Sequence, residues 1–355
     1  MASDDLLTER LLRIIDEGRR TATYKLALLS ALIDAAATHP GETEIGTREL
    51  AALVVDIYYP QTRFFVAYDG IERELRQISA KGSPVLRAML RLRLQGDTAG
   101  CRSAADARRR VPDEYERALN HVEDTFVRYP IPLLQVVGSQ SRPFLYEVDW
   151  PEGTTVASLR REGRDRLRFM PGVPDRLVVL GPLLRPLIEL HWVRDVAKWT
   201  GVSTQDEQLR THLFGTDRVT FPSGIRDGLS LLQDGRCFYC DERLVRAPQV
   251  DHFLAWARWP NDAIENLVAA DGCNGFKSDH LAAPAHLERW MHRVQSSSDD
   301  LAEIAESARW LSDGGRSSAL VTSTYTHVPP GTPLWVAGRE FVDADRDALR
   351  ELVGA

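Results

Sequence analysis

Two cysteines stand as Cys237-Phe238-Tyr239-Cys240, the C-x-x-C spacing of metal knuckles and of redox pairs. Further on come Asp251-His252, then Asn266-Leu267-Val268, then Cys273-Asn274 with Lys277 and His280 behind it. Carboxylate and amide oxygens serve hard cations, thiolates serve soft ones, and imidazole exchanges protons near neutral pH. A thioredoxin-like use of the cysteine pair fails on context, because no βαβ pattern surrounds it. The order instead predicts two strands joined by a loop and followed by a helix. Asp251 and His252 fall on the first strand, Asn266 at the start of the second and Asn274 on the helix.

From Cys237 to Leu281, 45 of 355 residues, this constellation resembles the HNH endonuclease family, whose ββα-metal site also occurs in colicin-type DNases and RNA-guided CRISPR nucleases. The resemblance implies phosphodiester hydrolysis, in which a water loses its proton in line with the scissile bond while a cation stabilises charge on the oxygens. It makes His252 the general base and Asn266 the residue that braces the loop and orients that base. Asp251 and Asn274 become oxygen ligands of Mg²⁺ or Mn²⁺, with His280 the competing ligand on the same helix. Lys277 lies near Asn274, either as a phosphate contact or as a plain surface lysine. Many relatives in that family carry two C-x-x-C pairs around a structural zinc. Here Cys237, Cys240 and Cys273 match three positions, but Ala270 takes the fourth, so a last ligand would come from Asp271, a histidine or water.

The elements that position this segment are expected to form an α+β protein. The predicted parts are a helical, winged-helix-like region over 1–128, a mixed α and β region over 129–220, the HNH nuclease module over 221–295 and a helical tail over 296–355. Apolar spacing predicts helices within 4–39, over 47–59 with Thr47 as N-cap, over 71–80 and over 84–95. Strands are expected at 133–137, 144–148 and 177–179, followed by a helix over 183–199. A net charge of −7 excludes coating of nucleic acid by bulk charge. DNA contact therefore falls to local patches: Lys81 with the arginines from Arg87 to Arg110, Arg108 and Arg109 among them, and Arg258 between Trp256 and Trp259. The bland alternative for these is a solvated helix face and core packing of the indoles. No apolar run approaches 18 residues and the first residues are polar and helical in pattern, so a cytoplasmic protein without membrane contact is expected. Together these features predict a metal-dependent DNA endonuclease of bacterial restriction or anti-phage defence. A DNA-binding regulator with a catalytically silent HNH-like module is the other class considered.

Overall fold

Leu26, Leu28, Leu29, Leu32 and Ile33 are all fully buried, though a helix carries them on more than one side. A helix that is apolar all round must be covered all round. The computed structural model describes residues 2–16, 20–67, 70–79, 83–136, 143–203, 207–215, 220–245 and 248–354. Backbone packing divides the chain into two units, Met1–Thr216 and Asp217–Ala355.

The first unit runs α1 (Ala2–Asp16), α2 (Tyr24–Thr38), β1 (Glu44–Gly46), α3 (Thr47–Gln61), β2 (Phe65–Val66), β3 (Glu72–Arg73), α4 (Pro84–Thr98), α5 (Ala104–Arg110), α6 (Pro112–Arg128), α7 (Pro130–Leu133), β4 (Tyr146–Glu147), α8 (Val156–Glu162), β5 (Arg166–Phe169), α9 (Val173–Thr200) and α10 (Glu207–Phe214). The apolar helix α2 lies against α9 and α3, and α6 packs on α3 and α4. Strands β1, β5 and β4 form one antiparallel sheet in that order, with Ile45 opposite Leu167 and Tyr146 opposite Phe169. This sheet draws strands from both the expected first region and the expected second region, which lie in the same unit.

Several local expectations yield to tertiary packing. Residues 71–79 form no helix: Glu72–Arg73 pairs with Phe65–Val66 as a short hairpin. The run 177–179, expected as a strand, lies inside the 28-residue α9, where Leu177 and Val178 are buried. Of the expected strand at 133–137, Leu133 ends the helical turn α7 and 134–136 form no strand, while 137, like Lys81, lies outside the described residues. Thr47 does not cap α3, since Gly46 holds that position. Its hydroxyl donates instead to the buried carboxylate of Glu123 at 2.8 Å, which also receives Arg160 at 2.6 Å.

The second unit runs α11 (Ser223–Leu232), β6 (Gln249–His252), a 3₁₀ turn (Ile264–Asn266), β7 (Leu267–Ala270), α12 (Cys273–Lys277), α13 (Pro284–Ser296), α14 (Ser298–Ser307), α15 (Gly314–Thr326), β8 (Pro333–Ala337), β9 (Glu340–Asp343) and α16 (Arg346–Val353). Ile225 and Leu229 of α11, Leu301 and Ala305 of α14, and Ile264, Leu267 and Ala269 make one core. The tail beyond 296 therefore belongs to the same unit as the segment before it. It is not purely helical either, because β8 and β9 form a hairpin. Gly314 and Gly315 open α15, with the Asp313 side chain accepting from the Arg316 N–H. Among the described residues no helix is long and apolar enough to cross a membrane.

Candidate functional site

Antiparallel pairing of β6 with β7 sets Asp251 opposite Val268 and His252 opposite Leu267, and α12 follows three residues after Ala270. Just before this ββ pair the cysteine segment folds into a tight knuckle. Arg236 and Arg243 bridge its base, Asp241 takes a left-handed φ of 61°, and the Phe238 N–H donates to the Ala269 carbonyl at 2.9 Å. That last bond brings Cys237 and Cys240 beside the start of α12, where Cys273 follows Gly272 at φ 76°. The sulfurs of Cys237, Cys240 and Cys273 lie within 4.8 Å of one another. Tetrahedral bonds of about 2.3 Å place thiolates about 3.8 Å apart, so small side-chain movements would seat a zinc ion. Burial pushes the Cys237 thiol up, but the N–H groups of Cys240, Asp271 and Tyr239 point at its sulfur and leave it below the ordinary thiol value. These N–H groups favour the charged form of that sulfur, while burial first, and then the neighbouring Cys237 and Cys240, push the Cys273 thiol well above its ordinary range. Asp271 contributes its backbone here and not its carboxylate, and among the described residues no fourth histidine, cysteine or carboxylate joins the three sulfurs.

Strand alternation puts Gln249 and Asp251 on one side of β6, and α12 packs Asn274 and Lys277 against that side. Asn274 Nδ2 donates to Gln249 Oε1 at 2.7 Å, whereas Asn274 Oδ1 is shut off from solvent with no hydrogen-bond partner among the described residues. Leaving an amide oxygen bare is costly. It is also the kind of donor that a hard divalent cation takes. Asp251 receives the Tyr239 hydroxyl at 2.5 Å and the Lys277 ammonium at 3.1 Å, both on Oδ2. Burial first, and then the Asp251 charge, raise the Tyr239 phenol well above its usual range, so it remains a donor. Asp251 and Asn274 thus offer oxygen atoms on one side of the ββα unit, with the Lys277 ammonium already on Asp251.

His252 ends β6 on the other side, 8% exposed, with its Nε2 2.8 Å from Asp262 Oδ1. Phe221 and Trp256 flank the ring, at 5.7 and 5.6 Å between centroids. The loop that carries Asp262 back to β7 is fastened by Asn266, which is fully buried. Its Oδ1 accepts from the Leu254 N–H at 2.9 Å, and its Nδ2 donates to the carbonyls of Leu254 and Asn261 at 3.0 and 2.9 Å.

Of the residues singled out in the sequence, Asp251, Asn274 and Lys277 are brought together, His252 and Asn266 share one loop, and three cysteines form the knuckle. His280 stands apart. Helix α12 ends at Lys277, Ser278 takes φ 47°, and the exposed His280 ring meets Phe341 of β9 at 4.8 Å, so this candidate lies beyond the helix on which it was expected. Lys277 is no surface lysine or DNA contact, because it is fully buried and also donates to the His252 carbonyl at 2.8 Å. Arg258 is held by Nε to the Asp279 carbonyl at 3.1 Å, and Trp259 is a core residue. Arg108, Arg109 and Arg110 are exposed in the last turn of α5, in the first unit, with Arg109 on Asp106 at 2.6 Å. Sequence reasoning missed Asp262, Tyr239 and Arg293. The first carried a signal, an aspartate four residues before Asn266 in a loop that must return to the end of β6. Arg293, on α13, is buried and grips the Leu267 and Glu265 carbonyls at 2.9 and 2.7 Å, a contact no local spacing encodes.

No curated protein matches this chain, and no solved structure does. A family model described as a domain of unknown function (DUF8808) matches residues 5–213, which lie in the first unit and stop short of the cysteine knuckle and of Asp251, His252 and Asn274. Since that match spans 209 of 355 residues, the chain belongs to the DUF8808 family.

Proposed function

We propose that this protein is a metal-dependent endonuclease that hydrolyses phosphodiester bonds in DNA through an HNH-like ββα module in its second unit. The observation that carries this reading is Asn274 Oδ1, shielded and without a hydrogen-bond partner among the described residues, beside the Asp251 strand face, in a unit whose next strand residue is His252. Asp251 and Asn274 would hold Mg²⁺ or Mn²⁺, which supplies charge stabilisation at the phosphoryl and leaving 3′ oxygens. The scissile phosphate would lie across the C-terminal end of β6. There His252 takes a proton from water, the water oxygen bonds to phosphorus, the bond to the 3′ oxygen breaks, and solvent protonates that oxygen. The exposed arginines of α5 and the partly buried Arg258 are the DNA contacts of this reading. The cysteine knuckle would bind one structural zinc with water as fourth ligand. A setting in restriction or anti-phage defence rests on the family resemblance alone.

One observation favours the second reading, a DNA-binding regulator with a silent module: Lys277 already neutralises Asp251. Incubation with supercoiled plasmid separates the two. Nicked and linear products that require Mg²⁺ or Mn²⁺ and vanish with EDTA are expected of the enzyme. DNA binding without cleavage at any metal concentration would leave the regulator.

A further inference from the structure

We infer that Asp262 is a positioning residue that fixes His252 in the Nε2–H tautomer and so makes Nδ1 the basic nitrogen; as a statement about catalysis this rests on the nuclease reading above. An ionised carboxylate only accepts hydrogen bonds. With Asp262 Oδ1 2.8 Å from His252 Nε2, the shared proton belongs to the ring at Nε2, and the lone pair is left on Nδ1.

The carboxylate is aimed by a turn whose backbone is pinned from several sides. The Trp310 indole donates to the Asp262 carbonyl at 2.6 Å. Asn261 donates from Nδ2 to Ser317 at 3.0 Å and accepts the Ala263 N–H at 3.1 Å, while its own carbonyl receives Asn266. Phe221 packs against both Trp310 and the His252 ring, at 5.6 and 5.7 Å. The ring therefore has its plane set by aromatic neighbours and its protonated nitrogen set by Asp262. When Nδ1 takes a proton from water, the positive charge spreads over a ring already facing a carboxylate, which stabilises the imidazolium where it forms. This arrangement also gives the loop's other anchor a chemical purpose: Asn266 holds the turn that holds Asp262.

Chelator-treated full-length protein labelled with ¹⁵N-histidine tests the assignment without any cleavage assay. Long-range ¹H–¹⁵N correlations should show His252, identified by the signals lost in His252→Asn, with a protonated Nε2 and a bare Nδ1. In Asp262→Asn, where the amide can also donate to Nε2, a mixture of tautomers or the opposite one is expected. Plasmid nicking by Asp262→Asn should fall by ~10²-fold or more in kcat with little change in KM, and Asp262→Glu should recover part of that loss. A wild-type Nδ1–H tautomer would overturn the inference, as would an Asp262→Asn protein with both tautomer and kcat unchanged. If the wild type cuts nothing yet its tautomer depends on Asp262, the nuclease reading fails and the assignment of Asp262 is supported.

Discussion

At His252 the burial of the ring decides which substitution is informative. An imidazole enclosed by Phe221 and Trp256 leaves a hole when cut to alanine, so His252→Ala should lose about 2 kcal/mol of stability as well as activity. His252→Asn fills more of the space and isolates the chemistry. Its nicking rate should drop ~10²-fold to 10⁴-fold with a melting temperature close to wild type, and a near-normal rate would remove His252 from the role of base. Lys277 is governed by a different balance. Its ammonium serves the Asp251 carboxylate and the His252 carbonyl from a fully buried position, so Lys277→Met takes the counter-charge from Asp251, leaving it the Tyr239 hydroxyl, and a donor from the carbonyl. Breaking a buried pair from one side typically costs about 3 kcal/mol or more, a loss that urea denaturation would register. The same variant should bind Mn²⁺ more tightly if Asp251 is a ligand, since the competing cation is gone. Unchanged Mn²⁺ affinity would count against that ligand.

At the level of elements, the ββα segment was legible because its chemistry-bearing residues lie at the ends of short, well-marked pieces. Asp251 and His252 do end a strand, Asn266 does immediately precede the next one, and Asn274 is in the following helix. The pairing of Lys277 with Asp251 was not legible, since it joins residues 26 apart whose contact arises only when α12 folds back on β6. Nor were the hairpin at 65–73 and the single long helix through 177–179, where local preference favours one structure and packing against α2 or a facing strand selects another. The knuckle yields its own prediction. Protein prepared without chelator should contain about one zinc per chain, and Cys237→Ser or zinc removal should lower the melting temperature and activity together. No zinc and an unchanged melting temperature would reduce these cysteines to small packing residues. Gly272, at φ 76° just before Cys273, should tolerate no side chain cheaply, and Gly272→Ala should cost ~1 kcal/mol or more through backbone strain.

Over the whole molecule, the first unit stores a sensitivity to alkali. Burial, with Asp56 beside it, pushes the Tyr115 phenol up to about 12, against about 10 for an unfolded tyrosine. Below the lower value both states are neutral and the full stability is present. Between the two only the unfolded chain ionises, so stability drains away as pH rises through that window. Tyr24, Tyr58, Tyr59 and Tyr146 are raised by burial in the same direction. Urea midpoints followed by circular dichroism should fall steeply in this range, and less steeply in Tyr115→Phe; equal slopes would show that this phenol ionises freely in the folded chain. The division of the chain after Thr216 carries a consequence for inheritance. The family's signature occupies only the first unit, and every candidate ligand and base sits only in the second. Kinship through residues 5–213 therefore transmits an architecture and none of the residues proposed to carry a reaction.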